Sequence, residues 1–368
     1  MLLVLNSTIL TDYDIAGCSL RNRLAVAPMT RVSATETGQA TQQMARYYER
    51  FAHGGFGLVI TEGIYTDQKY SQGYPYQPGI TDDEQAQAWR MVTGAIHAHQ
   101  GMVFAQLMHA GALSQGNRFT DVSAAPSALR PKGEQMKFYY GAGSYAVPRA
   151  MTDEDIVDAI AGFAQAAALA SQCAGFDGIE IHGANGYLLD QFLTDYTNHR
   201  NDRWGGGLRD RMNLTLEVVR AVRLAVGTLP VGVRISQGKV NDFDHKWAEG
   251  EQAAEVIFGS LSDAAVDFIH VTEHQAWKPA FINGHSSLVS LSRRYAPEVA
   301  LIANGGLHRA EHASSVLEEG ADIIAIGKAA LANPDLPRRL ANTQRLNEFD
   351  ASILGPIANI KNGELVSD

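Results

Sequence analysis

Cysteine is almost missing from this chain: Cys18 and Cys173 are the two thiols in 368 residues, and they stand far apart. Two such thiols build no disulfide framework, zinc cluster or iron–sulfur ligand set, and a reducing, cytoplasmic setting is the simplest compartment. Positive charge is also short, with 30 Lys and Arg against 40 Asp and Glu for a formal net charge of −10. No basic field therefore invites nucleic acid or anionic lipid. No stretch is expected to reach the ~20 apolar residues that cross a bilayer. The apolar start "MLLVLNSTIL" lacks a basic head, a long core and a small-residue cleavage site, so an early strand is expected there rather than a signal. Repeats, low-complexity tails, a P-loop, a nucleophile elbow and a zincin helix are all absent. His308 and His312 in "HRAEH" have helical spacing but no third ligand, which predicts an exposed helix face and no metal site. His97 and His99 are expected to close and cap a helix.

Alternation is what the sequence does have. Short β-rich runs cover residues 23–29, 56–63, 101–111, 176–183, 231–236, 266–273, 299–306 and 321–329, with helical stretches between them. One helix is expected to start at a Thr152 cap, carry acids in its first turn and stop at Gly175. Strands that are apolar on both faces and alternate with helices imply a parallel sheet. Eight units favour a closed (β/α)8 barrel, a TIM barrel formed as a single domain over 1–368, above a doubly wound open sheet. Residues 112–150 break the rhythm with many Gly, Pro and Ser. They follow strand three on the face where barrels keep their active sites, which predicts a lid or small hairpin. Tyr139, Tyr140 and Tyr145 are candidates for its inner face.

The predicted strand ends collect polar and glycine-rich residues that a barrel would bring to one rim. "ANGG" (303–306) and "IGKAAL" (326–331) end strands seven and eight, where barrels often hold phosphate. Their glycines admit close backbone approach, and Lys328 and Arg234 add positive charge. Each glycine alone reads equally well as a turn. Arg234, inside the otherwise apolar "VGVRIS", is costly to bury without an anionic partner. "EIHGANGY" places His182, Asn185 and Tyr187 where a strand ends. Singly each suits a structural role, but together they suit a grip on an oxygen that gains negative charge.

The segments "LAVAPMTR", "ITEG", "AQLMHAG", "IHGANGYLLDQFL", "NHRNDRWGG", "VGVRIS", "ANGG" and "ALANPDLPRRL" occur in one order over nearly the whole chain. In this the chain resembles the old yellow enzyme family of FMN-dependent ene-reductases. The resemblance implies a barrel loaded with FMN. NADH or NADPH reduces the flavin, which passes hydride to the β-carbon of an activated alkene such as an enone, enal or nitroalkene. It further implies that His182 and Asn185 bind the activating oxygen and that Tyr187 gives a proton to the α-carbon. The implied cofactor-binding positions are Ala27, Pro28, Met29, Thr30, Gly63, Gln106, Arg234, Asn304, Gly305, Gly306, Gly327 and Lys328. Of these, Thr30 tunes the ring, Gln106 meets its pyrimidine edge and the last four hold phosphate.

Some positions depart from the family pattern. Lys328 replaces a usual Arg and so loses the bidentate fork. Met108 stands where an aromatic is common, Thr30 replaces the Cys of one subgroup, and Asp210 replaces a common Asn. Two other readings remain. One keeps the flavin but makes the barrel a quinone reductase or demethylase. The other is a non-redox, phosphate-binding aldolase or isomerase. That last reading needs a Schiff-base lysine, for which Lys239 is the available residue, or paired carboxylates, for which Glu180 and Glu273 are not obviously placed.

Overall fold

A computed structural model describes residues 8 to 365. Each of the eight predicted segments contains a strand: β1 Leu24–Val26, β2 Leu58–Ile60, β3 Met102–Met108, β4 Gly178–His182, β5 Val231–Ile235, β6 Phe268–Thr272, β7 Ala300–Asn304 and β8 Ile323–Ile326. All neighbours pair in parallel, and β8 returns to β1 through Ala325 and Ala25. The sheet is closed, a TIM barrel, so the doubly wound alternative, which would leave two free edges, does not apply.

Two apolar layers hold the barrel. Outside, the strands pack against helices in one continuous core. Inside, a smaller cluster that includes Leu58, Ile60, Phe104, Phe268, Ile302 and Ile323 fills the lower half. Phe104 and Phe268 approach with ring centroids 5.4 Å apart. Glycine makes room for them: a Cβ at Gly178 would lie 2.5 Å from the Phe104 ring, and one at Gly232 would lie 2.4 Å from Phe268. A hairpin of Tyr13–Ile15 and Cys18–Leu20 closes the bottom, placing Ile15 and Leu20 in the same cluster. Above the phenylalanines the inward positions become polar, and the site lies there.

Local signals explain the helix ends. Thr152 caps Asp153–Leu169 in a full capping box with Asp155, and Gly175 ends the following π turn at φ 79°. One expectation fails on this element. Asp153–Ala174 is a continuous 22-residue helical segment long and apolar enough, by length and composition, to cross a membrane. In the fold Ile156, Ala159, Phe163 and Ala166 of this segment are buried in the barrel–helix core, so its apolarity serves packing. The N-terminal strand is also corrected. Residues 8 and 9 are helical, and the rest of that prediction up to residue 7 lies outside the described residues. His97 and His99 pair with Asp177 and Glu49 at 2.8 and 3.1 Å rather than capping backbone. His308 is exposed as expected, whereas His312 is half-buried and stacks on Trp277 with centroids 3.4 Å apart. Among the described residues no His/Cys/Asp/Glu group could hold a metal.

The 112–150 excursion is tied at its base by Ala124–Ala125 pairing in parallel with Arg149–Ala150, and higher up by an antiparallel bridge between Glu134 and Ser144. Gln115 pins its tip by donating to the Met136 and Tyr139 carbonyls at 2.9 and 3.0 Å. On the other side of the mouth the C-terminal segment is strapped down by Arg31, which is fully buried. Its guanidinium meets both oxygens of Glu364 at 2.6 and 2.5 Å and donates to the Ala358 and Asn359 carbonyls, each at 2.9 Å. Removing one partner of such a pair strands a buried charge. Glu364→Ala is therefore expected to cost about 3–5 kcal/mol in urea unfolding. Loss of the surface pair between Lys69 and Asp158, whose side chains are 47% and 52% exposed, should cost below about 1 kcal/mol.

Candidate active site

The loop after β4 carries the residues singled out in the sequence, and its conformation is imposed. Asn185 adopts the left-handed region at φ 62° and Gly186 follows at φ 87°, where asparagine and glycine are the least strained residues. Buried polar side chains from the next turn hold this bend. Asp190 accepts from the Gly186 N–H at 2.6 Å and pairs with Lys239 at 2.7 Å. Gln191 donates to the Gly186 and Ala110 carbonyls at 2.7 and 3.1 Å. The Asn185 N–H reaches the Ser236 hydroxyl at 2.8 Å. Lys239 is thus spent on a buried ion pair, which argues against its use as a Schiff-base nucleophile.

His182 is buried at the end of β4, directly beside Arg234 in the register. Burial first, then the nearby Arg234 and His270, hold its imidazole well below the ordinary range. The ring is neutral, and its Nδ1 accepts the Ala184 N–H at 3.3 Å. The proton consequently sits on Nε2, which can donate into the cavity. Tyr187 packs edge-on against this ring at 4.9 Å, and its hydroxyl shares a short hydrogen bond with that of Tyr74. Burial pushes the Tyr187 phenol up to about 12, against the opposing effects of Tyr74 and Arg234. It stays protonated at neutral pH.

The floor of the cavity is a polar layer. Gln106 donates from Nε2 to Glu180 at 2.6 Å, and Glu180 meets His270 at 2.7 Å. Burial would raise the Glu180 carboxyl, but His270, Arg234 and Gln106 together hold it below the usual carboxylate range. Arg234 donates to Thr272 and Asn304 at 3.2 and 3.1 Å, while its buried Nε has no partner. On the β7 and β8 side, Gly305 turns at φ 136°, where a Cβ would strike the Glu273 carbonyl at 1.8 Å. A Cβ on Gly327 would meet nothing nearer than Met29 Sδ at 3.6 Å. Lys328 is exposed and makes no ion pair among the described residues.

These parts surround one cavity of about 410 Å³. Pro28, Met29, Thr30, Gln106, His182, Asn185, Tyr187, Arg234 and Lys328 line it, as does Met108. Ala27, Asn304, Gly305, Gly306 and Gly327 lie on the adjoining strand ends. Gly63 is set back against Met108, whose Sδ would lie 2.6 Å from its Cβ. From the excursion, Tyr139 lines the cavity and donates to the Thr30 carbonyl at 3.3 Å. Tyr145 is buried behind it, whereas Tyr140 is 41% exposed and is not an inner-face residue. Sequence reasoning missed Tyr74, Glu62, Arg31 and Leu354. Glu62 is fully buried and burial raises its carboxyl to about 7, although the Arg31 N–H and the Tyr48 hydroxyl stabilise its charge. The signal that could have found it is a lone acid between strand β2 and a glycine. Leu354, from the strapped C-terminal segment, closes one wall, and nothing local in the sequence marks it.

A profile of the NADH:flavin oxidoreductase / NADH oxidase family matches residues 11–347. The chain belongs to this family. A protein of Leishmania infantum described as a probable flavin mononucleotide-dependent alkene reductase is 34% identical over 350 residues, covering 91% of each chain. The old yellow enzyme homologue of Zymomonas mobilis superposes with a TM-score of 0.87 at 32% identity, covering 97% of this chain and 98% of that one. Morphinone reductase in complex with tetrahydroNAD gives 0.83 at 30% identity, over 96% and 98% of the two chains. The protein is accordingly an old yellow enzyme relative, an oxidoreductase of the flavoprotein class on a TIM barrel.

If the His182 ring is neutral for the reason given, it should not titrate between about pH 5.5 and 8. Nitrogen NMR of the ring should show the Nε2–H tautomer throughout. A protonation step in that range would refute the assignment.

Proposed function

We propose that the protein is an FMN-dependent ene-reductase that uses NADH or NADPH to reduce an activated alkene. The observation that carries this reading is the convergence of His182, Asn185 and Tyr187 over a floor with unspent hydrogen-bonding capacity. The residues fit FMN on their own chemistry. Arg234 has an orphaned buried N–H for an electron-rich ring edge, Gln106 offers an amide to the pyrimidine, and Thr30 lies on the wall. The open Gly327, the turn at Gly305 and Gly306, and the unpaired Lys328 suit a phosphate. When bound, FMN would supply a two-electron carrier between the nicotinamide and the β-carbon of the alkene.

The chain's own residues would do the rest. His182 Nε2–H and the Asn185 amide would donate to a carbonyl or nitro oxygen, favouring the charge it gains as hydride arrives. A neutral imidazole suits that task, since its Nε2–H donates a hydrogen bond to the growing negative charge without giving up its proton, which leaves the proton transfer to Tyr187. Tyr187, protonated at neutral pH, would give its proton to the α-carbon. A hydrogen bond from Tyr74 would then stabilise the phenolate left behind. Tyr139 and Leu354 would exclude water from two sides, and Val240 and Phe243 complete the wall.

Losing an oxyanion donor typically costs on the order of 10²–10³ in rate. His182→Ala combined with Asn185→Ala should therefore slow enone reduction at least that much and weaken phenolic-ligand binding while leaving flavin bound. Enone turnover equal to wild type would sink the assignment. In Tyr187→Phe, anaerobic stopped-flow should show flavin reduction by nicotinamide at the wild-type rate and reoxidation by enone markedly slower. Equal slowing of both halves would remove the proton-donor role. A purified protein without flavin absorbance that takes up no FMN would favour the non-redox reading.

A further inference from the structure

Glu180 and His270 lie beneath the cavity, are fully buried and do not line it, so the proposed chemistry leaves them without a task. A buried ionised carboxylate is expensive unless every oxygen is supplied with donors. Glu180 has two: Gln106 Nε2 at 2.6 Å on Oε1, and His270 Nδ1 at 2.7 Å on Oε2. The demand runs outward through Gln106. A carboxamide beside a carboxylate must turn its nitrogen toward it, because the opposite orientation would set two acceptors together. One Nε2–H is then spent, and the carbonyl Oε1 and the second N–H remain for the cavity that Gln106 lines. An acceptor beside a donor is the complement of an imide edge, an N–H flanked by carbonyls.

We propose that Glu180, backed by His270, is a positioning residue that fixes the Gln106 carboxamide so that the site selects its flavin by the N3–H imide edge. This rests on the reading of the cavity as an FMN site. Arg234 cannot impose this choice, because it lies on β5 and donates only to Thr272 and Asn304. The register supports the assignment: Gln106 and Glu180 are direct partners on β3 and β4, so the contact follows from the barrel itself.

The test uses the full chain reconstituted with FMN or with N3-methyl-FMN, with affinities from quenching of flavin fluorescence. Wild type should prefer FMN by about tenfold or more. Glu180→Gln, whose own amide can face Gln106 with either end, should bring the ratio toward one. Lys328→Ala should weaken both flavins alike and keep the ratio. A folded Glu180→Gln that still discriminates as wild type does overturns the proposal, as does a wild type that binds both flavins equally. If Glu180→Gln does not fold, Glu180→Asp, with its carboxylate withdrawn by one methylene, must show the same loss of ratio. Independently of any variant, NMR of the wild type must show one Gln106 amide proton shifted and protected from exchange, and its absence also overturns the proposal. A wild type that binds no FMN at all is a separate outcome, since it removes the reading of the cavity rather than the role of Glu180.

Discussion

The parallel register across β3 to β6 is the constraint on which the site depends. It sets Gln106 beside Glu180, His182 beside Arg234 and Arg234 beside His270. Side chains on a strand alternate faces with a period of two, so a slip of one residue would turn all five outward into the helical layer. The apolar layer below resists such a slip. Phe104 and Phe268 fit only where Gly178 and Gly232 leave space, and moving either strand would drive a ring into a neighbour's Cβ. The floor of the cavity is polar and still rigid because the layer beneath it is tightly packed.

Charge balance is the second organising theme. Arg31 with Glu364 and Lys239 with Asp190 are buried ion pairs, and Glu180 is buried in a hydrogen bond to His270, whose imidazole is held below its ordinary range by burial; each contact fixes a different part of the mouth. Arg31 ties down the C-terminal segment that brings Leu354 to the wall. Lys239 with Asp190 braces the bend at Asn185. Glu180 fixes the floor. Buried pairs contribute little net stability, so their value here lies in specifying one geometry. Arg234 stands apart, since its guanidinium contacts neutral oxygens and one of its N–H groups is unsatisfied. That unsatisfied donor is the feature a flavin edge would complete.

Much of this was legible in one dimension. The eight strands were placed within a few residues, because apolar β-rich runs between capped helices carry a strong signal. Thr152 and Gly175 acted as the helix start and stop that their chemistry predicts. The cavity-lining residues at the strand ends were legible as a group: a single histidine or tyrosine there suits a structural role, but His182, Asn185 and Tyr187 beside a costly buried Arg234 converge on one rim. Tyr140 was misplaced because tyrosines in an irregular loop have no period to say which faces inward. The 22-residue helix was underestimated in its apolarity because three of its four carboxylates crowd the first turn and, past Asp158, the remainder is uncharged.

By itself the sequence determined the alternation of strands and helices and the polar strand ends, since each follows from local propensity or spacing. Tertiary structure alone decided that Tyr74 meets Tyr187 across 113 positions of chain, that Arg31 reaches Glu364 near the far end, and that Leu354 closes the wall. The physical reason is that these contacts are selected by barrel closure and by the need to satisfy buried polar groups. Both are conditions on the whole fold and leave no mark on a short window of residues.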